Sequence, residues 1–198
     1  MTSGSEPSGP TKSGKGLSLV GYRGSGKSTV GRLLAGRLGL AFLDTDALLE
    51  DRFGRPIFEV FRENGEPAFR EMEERIVAEV ASGPPAVLAT GGGAVLRERN
   101  RAALKAFGPV VWLKTGAAVL AERLSTDAQG VASRPQLTEA GTLSEIKAVL
   151  AARLPIYEGI ADVTIATDGQ VPEALVEAIL ASCPELIRGT GGTEGGGR

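Results

Sequence analysis

Gly21-Tyr22-Arg23-Gly24-Ser25-Gly26-Lys27-Ser28 fits the pattern G-x-x-x-x-G-K-[ST]. In such a loop the backbone N–H groups turn inward and bind phosphate oxygens. The lysine reaches the β- and γ-phosphates, and the hydroxyl after it ligates Mg²⁺. The flanking sequence agrees with this reading. Leu17-Ser18-Leu19-Val20 reads as a buried strand leading in, and the stretch Thr29 to Leu38 reads as a helix leading out. A near-match at Gly9 to Gly16, G-P-T-K-S-G-K-G, serves as an internal control. It lacks the final hydroxyl and has no apolar strand before it. The true match implies a nucleotide held by Gly24, Ser25, Gly26, Lys27, Ser28 and Thr29, with Ser28 as a metal ligand.

Working outward, short apolar runs alternate with helical patterns. Strands are expected at Leu17–Val20, Ala41–Asp44, Ala86–Thr90, Val110–Lys114 and Asp162–Ala166. Helices are expected near 27–38, 46–53, 56–64, 67–82, 97–107, 116–125, 142–158 and 172–182. Apolar strands separated by helices indicate an α/β fold with a parallel sheet covered on both faces. Ligands of such sheets bind beyond the carboxyl ends of the strands. Two stretches break the rhythm. Residues 46–82 are longer than a crossover needs and read as a substrate-binding insertion. Residues 126–141 are polar, hold two glycines and a proline, and read as a mobile active-site lid. Residues 1–16 and the Gly-rich 184–198 read as disordered tails flanking one domain at 17–183.

Composition narrows the function classes. The 198 residues suffice for one domain with a substantial core. A net charge of −2 gives no reason to expect nucleic acid or an anionic membrane as partner. With no histidine, proton transfer and metal binding fall to Asp, Glu and hydroxyl groups. Most of the 22 Lys and Arg residues are arginine, which grips carboxylate and phosphate bidentately. Cys183 is the only cysteine, so no intrachain disulfide is possible. There is no apolar run of membrane-spanning length and no signal-peptide pattern. A cytoplasmic protein is therefore expected.

Several strand ends carry polar groups. Asp44-Thr45-Asp46 closes the second strand, placing two carboxylates near the phosphate loop. They suit Mg²⁺ and a hydroxyl acceptor, and equally a helix N-cap with a first-turn acid. Gly91-Gly92-Gly93 follows the third strand, where it allows a ligand close to the backbone or simply forms a turn. Arg70 lies in the first turn of a helix opened by Pro67, with Glu74 as its expected ion-pair partner. Phe61 and Phe69 read first as core residues. Arg134 precedes Pro135 in the lid, as a phosphate contact or a solvated charge. Arg153 is an anion clamp or an ordinary helix cation.

Taken in order, these segments resemble one family. They are Gly21–Ser28, Leu43-Asp44-Thr45-Asp46, Phe69-Arg70-Glu71-Met72-Glu73, Gly91-Gly92-Gly93-Ala94-Val95, Arg134-Pro135 and Arg153-Leu154-Pro155-Ile156-Tyr157. Over about 17–182 the chain resembles shikimate kinases. The resemblance implies a three-layer P-loop kinase fold, with a five-stranded parallel sheet in the order 2-3-1-4-5. It implies ATP-dependent phosphorylation of the shikimate 3-hydroxyl, a step of chorismate biosynthesis, by a monomer. By this likeness Asp46, Arg70, Gly91, Gly92, Gly93 and Arg153 hold shikimate, with both arginines on its carboxylate. Asp46 is the implied base, and Phe61 and Phe69 wall the ring. Asp44 acts on Mg²⁺ beside Ser28. Lys27 and Arg134 stabilise the transferring phosphoryl group, and Arg123 stacks near adenine. Gln136 stands where the family has an apolar residue, and 167–172 matches the adenine-side loop loosely. Two other readings are a kinase for another acceptor, such as gluconate or a nucleoside monophosphate, and a nucleotide-binding protein without turnover.

Overall fold

The computed structural model describes residues 16–126 and 143–184. Arg134, most of the expected lid and the expected tails apart from Gly16 and Pro184 lie outside the described residues. Gly16, expected in a disordered tail, is buried, with its N–H donating to Phe107 O at 3.1 Å. The chain runs β1 (Leu17–Val20), α1 (Lys27–Leu38), β2 (Ala41–Asp44), α2 (Thr45–Phe53), α3 (Ile57–Ala81), β3 (Ala86–Ala89) and a 3-10 turn at Ala94–Leu96. It continues with α4 (Glu98–Phe107), β4 (Val110–Lys114), α5 (Ala117–Thr126), α6 (Leu143–Ile160), β5 (Val163–Ala166) and α7 (Pro172–Ser182).

The five strands form one parallel sheet in the order β2-β3-β1-β4-β5. All four residues of β1 are buried, which matches its central place and its continuous apolar run. Leu19 lies beside Ala89 of β3 and Val111 of β4. Leu17, Leu19, Leu34, Val87, Leu113 and Ile179 form the core between the sheet and helices α1 and α7. Val20, Leu88, Leu104, Trp112 and Tyr157 form the core on the opposite face, under α4 and α6. The edge strand β5 alternates between half-buried and exposed positions. Its start is tied down by Asp162, which accepts from Val110 N at 2.8 Å and from Lys105 Nζ at 2.6 Å.

The 46–82 insertion carries its own small cluster of Leu49, Ile57, Val60, Phe69 and Ile76. Two helices expected at 56–64 and 67–82 appear as one span, Ile57–Ala81, interrupted at Gly65. There the backbone leaves helical geometry, with φ 74° and ψ 170°, a region open to glycine. Pro67 then falls at the start of the second half, where a missing N–H costs no helical bond. The third strand ends one residue earlier than expected, at Ala89. The Thr90 backbone still donates to Leu19 O at 3.1 Å. Among the described residues no helix is long and apolar enough to cross a membrane.

Candidate active site

The loop between β1 and α1 opens onto a cleft of about 610 Å³ at the carboxyl ends of the strands. Helix α1 begins at Lys27, so the loop amides and the positive end of the helix meet at the same place, a natural seat for phosphate. The buried Lys27 lies back across the loop, its Nζ donating to Gly21 O at 3.0 Å and Tyr22 O at 2.8 Å. Ser28 Oγ donates to Asp44 Oδ2 at 2.7 Å, and Asp44 Oδ1 accepts from Asp46 N at 3.0 Å. Asp44 therefore caps the N-terminus of α2 with one oxygen and faces the phosphate loop with the other. Gly24, Ser25, Gly26, Thr29, Asp46, Gly92 and Arg123 line the same cleft. Arg123 Nη1 is fixed on Gly24 O at 3.1 Å, where α5 meets the loop.

The acceptor side is assembled from α2, α3, α6 and the glycine triplet. Arg70 is buried, and its Nη1 donates to Glu73 Oε2 at 2.9 Å. Its Nε and Nη2 reach Glu66 Oε1 at 3.4 and 3.3 Å. The expected partner Glu74 instead pairs with Arg99 at 3.1 Å. Glu73 shares the inward face of α3 with Arg70, whereas Glu74 turns toward α4. The Glu73 side chain is 1% exposed. Burial pushes its carboxyl above the ordinary 4.5, Arg70 beside it pulls the other way, and the charges of Asp46 and Arg153 also act on it.

The triplet runs between these groups. A Cβ at Gly91 would lie 2.8 Å from Asp46 Oδ1 and 2.9 Å from Glu73 Oε1. One at Gly93 would lie 2.5 Å from both terminal nitrogens of Arg70, so no larger residue fits without displacing that guanidinium. Gly91 N donates to the buried Thr45 hydroxyl at 2.8 Å. Arg153 Nη1 donates to Gly92 O at 2.9 Å, and its guanidinium lies 5.8 Å from the centre of the Tyr22 ring. Asp46, Arg70, Arg153 and the triplet are thus brought together beside the phosphate cleft. Phe61 and Phe69 contact each other with centroids 5.7 Å apart. Phe69 is core and supports the Arg70 guanidinium at 5.3 Å, and Phe61 packs against the same cluster.

Glu73, Tyr157, Thr45 and Gln170 have no role in the sequence reading, although the first three stand inside its quoted motifs. Glu73 stands three residues after Arg70, and Tyr157 four after Arg153, so shared helix faces carried the signal. Gln170, in the loosely matching 167–172 stretch, lines the nucleotide cleft.

A model of the shikimate kinase family matches residues 23–184. The chain belongs to the shikimate kinase family. It is 49% identical over 164 residues to a shikimate kinase of Saccharopolyspora erythraea, covering 82% of this chain and 90% of that one. It is 44% identical over 167 residues to one from Symbiobacterium thermophilum, covering 84% and 95%. Among solved structures, a shikimate kinase from Acinetobacter baumannii in complex with shikimate superposes with a TM-score of 0.79 at 37% identity, covering 85% of this chain and 92% of that one. A gluconokinase from Sinorhizobium meliloti, at 22% identity and a TM-score of 0.60, shares the fold and no more.

Proposed function

We infer that this shikimate kinase family member transfers the γ-phosphoryl group of ATP to the 3-hydroxyl of shikimate, giving shikimate 3-phosphate and ADP. One observation carries the reading: two arginines and a carboxylate converge on a glycine triplet beside a phosphate-binding cleft. A small hydroxylated acid needs these groups, cations for its carboxylate and an acceptor for its hydroxyl proton.

Arg70 and Arg153 grip the carboxylate. Glu73 on one side of Arg70 and Phe69 beneath it limit the guanidinium's freedom, so little ordering remains to be done on binding. Asp46 orients the acceptor hydroxyl and takes its proton. The hydroxyl oxygen bonds to the γ-phosphorus as the bond to the β–γ bridging oxygen breaks, leaving ADP. Such transfer depends mainly on alignment and charge stabilisation. Lys27 exchanges its two loop carbonyls for phosphate oxygens when nucleotide enters. Arg134, carried over by resemblance, adds a second cation from the lid.

The hard oxygen pair Ser28 and Asp44, 2.7 Å apart at the cleft, fits Mg²⁺, which takes one or two protein oxygens and completes its shell with phosphate and water. Bound there, Mg²⁺ would neutralise phosphate charge. The resemblance further implies a monomer.

The test is Arg70→Ala. Its shikimate KM should rise by the equivalent of roughly 2–5 kcal/mol, with ATP affinity unchanged. An unchanged shikimate KM would remove Arg70 from the acceptor site.

A further inference from the structure

Tyr157 lies on α6 four residues after Arg153 and is fully buried. Its ring stacks on Trp112 of β4, with centroids 5.3 Å apart and planes 12° apart. Its hydroxyl donates to Gly92 O at 3.1 Å, the same carbonyl that Arg153 Nη1 reaches at 2.9 Å. A carbonyl oxygen has two lone pairs, and both are engaged here from a single helix. Burial raises the phenol above its ordinary value of 10.0, so the hydroxyl keeps its proton and remains a donor at neutral pH.

The two donors differ in what else they do. Arg153 is half-buried, lies over the Tyr22 ring, and is read above as a grip on the substrate carboxylate. Tyr157 is locked between sheet and helix and can contact only the protein. Three consecutive glycines are conformationally free, and holding one shape costs more entropy there than elsewhere in a chain. In a trans peptide the carbonyl and the following N–H point in opposite directions. A Gly92 carbonyl held toward α6 therefore turns Gly93 N–H away from α6. Gly93 itself sits directly beneath the Arg70 guanidinium.

We propose that Tyr157 is a positioning residue for the acceptor. Its hydroxyl pins the Gly92–Gly93 peptide, and it keeps the Gly92 carbonyl bonded when Arg153 turns to the substrate carboxylate. The proposal rests on the reading that Arg70 and Arg153 bind that carboxylate. It adds a residue that never touches substrate and acts through the backbone. The loop is then already in its binding shape before shikimate arrives, and less of the binding energy goes into ordering it.

Tyr157→Phe keeps the ring and its stack on Trp112 and removes only the hydroxyl. Its shikimate KM should rise about three- to tenfold, the worth of one net hydrogen bond. The ATP KM should stay at its parent value and the thermal midpoint should fall by no more than about 2–6 °C, what one buried hydrogen bond is worth, which separates positioning from general destabilisation. In an Arg153→Ala background the same change should not multiply independently, because both donors act on one carbonyl. A shikimate KM within twofold of the parent, or equal rises for shikimate and ATP, overturns the proposal. If Arg153→Ala raises the shikimate KM while Tyr157→Phe does not, the pin fails and the carboxylate grip stands. If neither raises it, both fail together.

Discussion

The two halves of the active site are built on opposite plans. The proposed nucleotide half centres on one continuous stretch, Gly21 to Ser28, tied to the rest of the chain through Asp44 and Arg123, and a loop of this kind binds phosphate through backbone N–H groups. The proposed acceptor half collects Asp46, Arg70, Gly91 to Gly93 and Arg153 from four separate elements, and in that reading it would work largely through charged side chains. A local backbone site of this kind is generic, because its phosphate contacts need little more than the loop itself. A site assembled from distant side chains is specific, and each member depends on supports such as Glu73 and Thr45. Substitutions in the acceptor half should therefore change acceptor kinetics and leave nucleotide binding alone.

The largest break should come from Asp46→Asn. Loss of a positioned proton acceptor costs roughly 10²–10⁴ in rate, so kcat should fall by that factor with ATP binding preserved. A near-normal kcat would take Asp46 out of the chemistry. Gly93→Ala comes next. Its methyl group would meet the Arg70 guanidinium at 2.5 Å, the movable end of a side chain. Arg70 should shift and lose a charge-assisted contact to substrate, raising the shikimate KM roughly tenfold to a hundredfold. The shift also loosens the buried Arg70–Glu73 pair, so the melting temperature should fall as well, and a drop in melting temperature with unchanged KM would show that the contact is structural.

The smallest effect is a sharpening one, the pH dependence of stability through Glu73. Burial, its largest influence, holds its folded pKa above the ordinary 4.5. The folded state thus binds the Glu73 proton more tightly than the unfolded chain does. That contribution to stability is complete below about 4.5 and is lost as pH rises through the raised value. Glu73→Gln removes the titration. The melting temperature of the parent minus that of the variant should fall as pH increases above 4.5. A difference that is flat or rises would mean that Arg70 outweighs burial.

The same contrast explains what could be read from the chain alone. The phosphate loop, the five strands and the crossover helices are local patterns, and each lies within a residue or two of its expected place. Asp44, Asp46 and the triplet were legible as strand-end groups. The partner of Arg70 was not, because a spacing of four and a spacing of three are both good helical contacts. Only the packing of α3 against α4 decides which side of the helix each acid occupies. The joining of α3 across Gly65 was hidden for a related reason. Glycine and proline signal a break, but whether the two halves stay stacked depends on the cluster of Leu49, Val60 and Phe69 beneath them.

The most direct test of the account is ADP release from Mg-ATP with no acceptor, with shikimate and with gluconate, side by side. Strong release with shikimate alone is the expected result. Release with gluconate and not with shikimate would leave the phosphate cleft intact and contradict the roles given to Asp46, Arg70 and Arg153.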